Sequence, residues 1–389
     1  MTGPLAGITV VALEQAVSAP LASRTLGDLG ARVIKVENPR GGDFARHYDD
    51  VVRGSAAHFV WVNRGKESVT LDLKDPRGVD LLHRLLDRAD ALVTNLAPGA
   101  TGRLGIGPDE LARRHPYVVG VEISGYGPGG PLSGKRAYDL LVQAEAGACS
   151  VTGTPGAPAK AGPPVADTSS GLYAAIAVLA GLFGRRAGGG AGGSTHVAMF
   201  DVMTELMTYP LTYTRHTGVE QQPRGMGSPA VVPYGAFPTA DGHTVVLGTT
   251  NDAEWRRLAR DLLDRPDLAD DPRYATGAGR VAHRAELDAL VADWCARTDL
   301  ATIQAAADAA GIGNSRHNTT TDVLAHPHLA ARGRWGEVDT PGGPVPALLP
   351  PLGERLDPVP ALGEHTDAVL RELGVPDAEL AALRPDGVI

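Results

Sequence analysis

Cysteine is nearly missing from this chain: two occur in 389 residues, Cys149 and Cys295. Two cysteines build neither a disulfide framework nor a zinc cluster, so both read as small buried hydrophobes in a reducing compartment, the cytoplasm. Lysine is scarce, with five among 36 basic residues, all before position 161 (Lys35, Lys66, Lys74, Lys135, Lys160). Acidic residues outnumber basic ones 45 to 36, a net charge of −9 that leaves no general nucleic-acid footprint. Long apolar runs are missing too. The longest covers residues 172–183, too short for a bilayer and suited to a buried helix. No basic leader stands at the start, and Glu14 interrupts the first apolar stretch, so neither a secretory signal nor a membrane partner is expected.

Several catalytic signatures are also lacking. The opening strand–helix–strand ends its second strand at Glu37, where a dinucleotide fold places its ribose-binding acid. Its turn reads Glu14-Gln15-Ala16-Val17-Ser18-Ala19-Pro20, without the G-x-G-x-x-G glycines that admit a pyrophosphate, and this disfavours a nicotinamide cofactor. There is no G-x-x-x-x-G-K-[ST] loop, no G-x-S-x-G elbow around Ser124 and no H-E-x-x-H. Pro327 between His326 and His328 breaks any helix that would align them, so no metal is expected.

What is present is alternation. Strands are predicted at 8–13, 33–36, 69–73, 91–94, 117–123 and 195–200. Helices are predicted at 19–29, 76–88, 108–114, 138–148, from Asp167 to about 186, and at 201–213. This pattern predicts an α/β fold: a Rossmann-like, mostly parallel sheet with helices on both faces. The segment 215–233 is poor in apolar residues and reads as a linker. A smaller α+β domain follows over 234–330, with a hairpin turning at Asp241-Gly242 and three helices. Residues 331–389, proline-rich over 341–360, read as a return that completes the large domain of residues 1–214.

Two features invite chemistry. The loop Gly125-Tyr126-Gly127-Pro128-Gly129-Gly130 follows a strand; it is either an anion-binding turn or a loop that needs positive φ. Asp167, in Pro164-Val165-Ala166-Asp167-Thr168-Ser169-Ser170-Gly171, is either the N-cap of the long helix or a carboxylate nucleophile at a helix N-terminus.

Segments 4–10, 31–37, 71–74, 95–99, 124–127 and 363–366, spread from end to end, together resemble those of the class III CoA-transferases, which share their fold with the α-methylacyl-CoA racemases. Pro4-Leu5-Ala6-Gly7-Ile8-Thr9-Val10 resembles the family's start. Ala31-Arg32-Val33-Ile34-Lys35-Val36-Glu37 is similar to its "ADVIKIE", Leu71-Asp72-Leu73-Lys74 to "LDLK" and Asn95-Leu96-Ala97-Pro98-Gly99 to "ENFRPG". Ser124-Gly125-Tyr126-Gly127 and Gly363-Glu364-His365-Thr366 resemble its "SGYG" and "GEHT".

The resemblance implies that Asp167 is the catalytic carboxylate, passing through an acyl anhydride and an aspartyl-CoA thioester. It implies CoA contacts at Ala16, Val17, Leu71, Asp72, Leu73, Lys74, Asn95, Leu96, Ala97, Arg103 and Arg136. Asn38 stands where a relative has Arg, with Lys135 and Arg136 as compensation. The racemases place a histidine upstream of the aspartate, where this chain has Tyr138; a phenol with pKa near 10 is a poor base for α-proton exchange, so the transferase is preferred over the racemase. Asp139 is expected to support the site or to be a helix-surface charge. Gly225 and Gly227 stand nearest to the mobile glycine flap of oxalate-type relatives. Arg316, in a segment similar to that of relatives acting on citramalate, mesaconate or itaconate, is expected to clamp a distal carboxylate. Acyl-CoA and a free carboxylic acid are then the substrates, no cofactor is tightly bound, and the family architecture is an interlocked homodimer.

Overall fold

The computed structural model describes residues 3–389. Contacts divide the chain into two units, one comprising residues up to 148 with 161–208 and 329–389, the other comprising 149–160 with 209–328.

The expected alternation forms in the first unit: β1 (Thr9–Leu13), α1 (Ser18–Asp28), β2 (Arg32–Glu37), α2 (Ala57–Asn63), β3 (Lys66–Thr70), α3 (Pro76–Leu86), β4 (Ala91–Thr94), α4 (Ala100–Arg103), α5 (Pro108–Arg114) and β5 (Val119–Ser124). The chain continues through α6 (Asp139–Glu145), α7 (Ala148–Val151), the short strands β6 (Gly153–Thr154) and β7 (Ala157–Pro158), α8 (Val165–Ala187), β8 (Gly193–Ala198), α9 (Met199–Leu206) and α10 (Thr208–Thr217). Six strands pair in parallel in the order β3-β2-β1-β4-β5-β8. Strands covered on both faces must be apolar throughout, and Val10, Val11, Ala12, Ala91 and Val93 are fully buried. Strand order reverses between β1 and β4. The loops leaving their carboxyl ends therefore diverge and open a crevice, the place where open α/β sheets bind ligands.

One contact sets the depth of that crevice. A Cβ on Gly171 of α8 would lie 2.5 Å from the carbonyl oxygen of Ser18 on α1. Only glycine lets the two backbones meet there. Because Asp167 lies four residues earlier, on the same helix face, this contact delivers its side chain to the start of α1.

Several boundaries differ from the sequence reading. The strand expected at 69–73 begins at Lys66, whose charge is buried, so a hydrophobic pattern misses it. The helix expected over 138–148 breaks at Gly147, where φ is 81°. The strand expected at 195–200 is Gly193–Ala198, and α9 begins at Met199. The apolar run 172–183 is not a wholly buried helix: Ala174, Ala175, Val178 and Leu182 face the core, while Leu172, Tyr173, Ile176 and Phe183 are exposed. Cys295 is buried as expected, whereas Cys149 is only half-buried.

In the second unit β9 (Tyr234–Pro238), β10 (Thr244–Gly248) and, later, β11 (Gly313–Arg316) form an antiparallel sheet in the order β11-β10-β9, with the expected hairpin at Asp241-Gly242. Its core gathers Trp255, Tyr274, Val291, Cys295 and Ile303. The C-terminal residues return to the first unit, where Leu370, Leu380, Val388 and Ile389 pack with Leu71 and Leu81.

Gly171→Ala should cost about 1–3 kcal/mol of stability through overpacking. Gly184→Ala on the same helix, where an added Cβ meets nothing within 4 Å, should be neutral or stabilise by up to ~1 kcal/mol. Urea unfolding of the two variants checks the pair.

Candidate active site

The crevice holds a cleft of about 570 Å³ at the carboxyl ends of β1, β4, β5 and β8. Of the expected site residues it brings together Ala16, Val17, Asn95, Leu96, Ala97, Arg136, Tyr138, Asp139 and Asp167. A second cavity of about 220 Å³, beyond β1, β2 and β3, is lined by Leu71, Asp72, Leu73 and Lys74, and shares Gln15 and Leu96 with the first. Arg40 sits on Asp72 at 2.6 Å beside this second cavity. Arg103 is exposed on α4 and lines neither cavity. A groove of about 660 Å³ along the C-terminal half of α8 is lined by Leu179, Phe183 and Arg186 among others, with no carboxylate. Gly225, Gly227 and Arg316 lie in the second unit. There the Gly225 N–H donates to the Gly153 carbonyl at 2.5 Å, and Arg316 pairs with Asp322 at 3.3 Å.

Asp167 is not the N-cap. The helix starts two residues earlier, at Val165 after Pro164, and Asp167 sits in its first turn with its carboxylate free of capping duty. Asp139 does the capping from another helix. One of its carboxylate oxygens accepts the backbone N–H of Ala166 at 2.8 Å and of Asp167 at 3.3 Å. The other accepts Gln143 Nε2 at 2.6 Å, and Gln143 Oε1 in turn takes the Ala161 N–H at 3.0 Å. Of its two readings, a free helix-surface charge is excluded: Asp139 caps α8. Gln143, buried and unforeseen, holds it in place.

The consequence for Asp167 is electrostatic. Desolvation by the surrounding protein, first, and the negative charge of Asp139, second, push its pKa up to about 7, against the pull of a hydrogen bond with the Ser18 side chain. A carboxylate with little water around it keeps its lone pairs available to an electrophile.

The turn after β1 is held from below. Glu14 is fully buried and accepts Lys66 Nζ at 2.5 Å, Lys35 Nζ at 3.3 Å and Ser23 Oγ at 2.6 Å. Lys35 reaches Asp43 at 2.9 Å, and the other Asp43 oxygen accepts the Ala16 N–H at 3.1 Å. Ala16 is thereby kept at φ 61°, a left-handed backbone that is rare for a side-chain-bearing residue. From above, Asn95 exchanges two hydrogen bonds with the backbone of Gln15, at 2.9 and 2.8 Å. Sequence reading passed over Lys35, Lys66 and Asp43; the available signal was Lys35 within the apolar run of β2. Glu37, the acid at the ribose position, is engaged by Arg46 at 2.7 Å and Ser68 at 2.6 Å, and its pKa falls to about 2 despite burial, because these partners favour the anion.

The glycine loop does need positive φ, one of its two open readings. Gly127 and Gly129 have φ of 75° and 82°, while Ser124 and Gly125 line the cleft. Tyr138 is 60% exposed at the cleft edge, and Lys135 is paired with Glu145 at 3.0 Å.

Comparison with known proteins agrees with this geometry. A family model described as CoA-transferase family III matches residues 5–366. The succinate–glutarate CoA-transferase of Agrobacterium fabrum is 33% identical over 385 residues, 95% of this chain and 96% of that protein. The succinyl-CoA–D-citramalate CoA-transferase of Chloroflexus aurantiacus is 31% identical over 396 residues, 99% of this chain and 98% of that protein. Among solved structures, a CaiB/BaiF family protein from Brucella suis superposes with a TM-score of 0.79 at 33% identity, covering 96% of this chain and 100% of that one.

Asp139→Asn should lower the Asp167 titration below 7, since it removes the neighbouring negative charge. Carboxyl-carbon NMR of Asp167 across pH 4–9 reads this directly, and an unmoved midpoint refutes the electrostatic account.

Proposed function

The chain belongs to CoA-transferase family III, and on that premise we propose that it moves CoA from an acyl-CoA donor to a free carboxylic acid through Asp167. The observation that carries this reading is a desolvated carboxylate in the crevice, with no cation among the groups that set its pKa.

The chemistry is covalent catalysis in balanced halves. The Asp167 carboxylate attacks the donor thioester carbon, forming a mixed anhydride and releasing CoA thiolate. The thiolate then attacks Asp167 Cγ, forming an aspartyl-CoA thioester and releasing the donor acid. The acceptor carboxylate attacks this thioester and displaces the thiolate, and the thiolate takes the new acyl group and frees Asp167. A serine ester would not be activated enough to return its acyl group to a thiol.

CoA enters this reading as a substrate, with no tightly bound cofactor. Ala16, Val17, Asn95 to Ala97 and Arg136 in the larger cleft, and Leu71 to Lys74 in the smaller cavity, are the proposed contacts. Arg103 keeps its place only as an exposed charge available to phosphate. A short dicarboxylate acceptor such as citramalate, mesaconate or itaconate belongs to this reading, with succinyl-CoA as the first donor to test; the names of the relatives, with glutarate and citramalate, support the dicarboxylate class. Gly225 and Gly227 remain the proposed flap. An interlocked homodimer in the cytoplasm belongs to the same proposal, and the apolar outer face of α8 (Leu172, Tyr173, Ile176, Phe183) supports association with a second copy. The racemase alternative gains nothing, since exposed Tyr138 holds the place of its second base.

Asp167→Asn should lower turnover by at least about a thousandfold, the scale expected when a covalent nucleophile is removed. Hydroxylamine trapping of the wild-type protein during turnover should place the adduct on the peptide that opens α8. The kcat/KM for the donor should rise with pH through about 7, because only the ionised Asp167 attacks. Persistent transfer in Asp167→Asn, or an adduct elsewhere, overturns the assignment. Separately, Arg316→Ala should raise KM for a diacid acceptor and leave a monoacid unchanged; an unchanged diacid KM removes Arg316 from the site.

A further inference from the structure

We infer that the Ser18 hydroxyl is the donor that stabilises negative charge on the Asp167 side chain in the step where CoA is taken up, and that Asn95 is the positioning residue that aims it. The inference rests on the covalent reading above.

Ser18 is the first residue of α1, 3% exposed, and it lines the cleft together with Asp167. Asn95 Nδ2 donates to Ser18 Oγ at 3.2 Å. The orientation of this amide is not arbitrary: Asn95 Oδ1 must face the Gln15 N–H, so Nδ2 must face the Gln15 carbonyl and Ser18. A hydroxyl has one proton to give. With Asn95 donating to its oxygen, that proton is left for Asp167, which lines the same cleft and whose anionic form Ser18 favours. The backbone contact at Gly171 keeps Ser18 and Asp167 in register. The nearby Gln15 and Ala16 N–H groups are already taken by Asn95 and Asp43. Ser18 Oγ–H is thus a side-chain donor that this turn holds toward the reacting carboxyl.

The charge that matters develops in the second step. When the thiolate attacks Asp167 Cγ of the anhydride, the C–S bond forms and the carbonyl pair moves onto Oδ. This oxyanion develops on the carboxyl that shares the cleft with Ser18. Collapse re-forms the C=O bond and breaks the bond from Cγ to the bridging oxygen, releasing the donor acid. Ser18 donates a hydrogen bond throughout and transfers no proton. A preorganised donor at such an oxygen is worth roughly 10²–10³ in rate.

Single-turnover rapid quench with succinyl-CoA and no acceptor tests this, with the Asp167 peptide read by mass for the CoA thioester. Ser18→Ala should form the thioester about 10²-fold more slowly, and Ser18→Thr should stay within several-fold of wild type. The acidic limb of kcat/KM should move to higher pH in Ser18→Ala, because a hydrogen bond that favours the anion is gone. Should Ser18→Ala melt early, Ser18→Cys keeps the volume with a weaker donor and should also be slow. Wild-type rates and an unmoved limb in Ser18→Ala or Ser18→Cys overturn the role of Ser18 alone. Absence of any Asp167 adduct in the wild-type protein overturns instead the covalent reading beneath it.

Discussion

The site depends on two backbones touching. α1 and α8 meet where Ser18 offers its carbonyl and Gly171 offers no side chain. Every functional distance in the cleft descends from that contact. It places Asp167 one turn before the contact on α8 and Ser18 in the first turn of α1, so both line one cleft. Such a contact cannot be adjusted by side-chain repacking, since neither partner has a rotamer to spend. The protein therefore fixes the α1 end independently. Glu14, Lys35, Lys66 and Asp43 form a buried ionic cluster directly beneath the turn. Burying these charges gains little net stability over an apolar substitute, and its merit here is directional. Asp43 grips the Ala16 N–H and holds a backbone angle that the residue would otherwise avoid. The geometry of the turn is thus stored in charge pairs outside the cleft.

The two acids of the site divide their work through their surroundings. Burial first, and the nearby charge of Asp139 second, push Asp167 up to about 7. Asp139 spends both oxygens on N–H donors: two backbone groups of α8 and the Gln143 amide. It caps the helix that carries its neighbour and so is bound to its position. Asp167 is relieved of capping by this arrangement and faces the cleft. One carboxylate is consumed by structure so that the other remains available, at the cost of mutual repulsion.

The parallel sheet was legible because its strands are apolar on both faces and punctuated by glycine, proline and helix-spaced leucines. The carboxylate was legible as Asp167 in a D-x-x-x-G frame, and the resemblance supplied its chemistry. What escaped the sequence lay in buried polarity. Lys66 shifted the start of β3 because a charged residue in a strand looks like a boundary until Glu14 is seen beside it. Asp167 looked like a cap because Asp before an apolar run usually is one; the true cap, Asp139, comes from 28 residues upstream and no local pattern links the two. The run at 172–183 looked buried because composition reports hydrophobicity without reporting which side of the helix faces the core. Each of these is a tertiary pairing, which residue order along the chain does not encode locally.

The missing glycine fingerprint now has a physical reading. In dinucleotide folds the start of the first helix binds a pyrophosphate, since unpaired N–H groups and the helix dipole favour an anion there. Glycines are needed because the ligand must approach the backbone from outside. In this chain the same helix start meets an anion that is part of the protein: the Asp167 carboxylate, delivered by α8 and touched by Ser18. The only close backbone approach required is that of α8, and the glycine that permits it, Gly171, sits on the partner helix instead of in the turn. Ala16 can then occupy the left-handed position, provided Asp43 and Asn95 hold the segment around it. The sheet keeps its anion pole and changes its occupant, from a cofactor's phosphate to the Asp167 side chain. That exchange is why a Rossmann-like order of strands coexists here with a turn that no nicotinamide dinucleotide would fit.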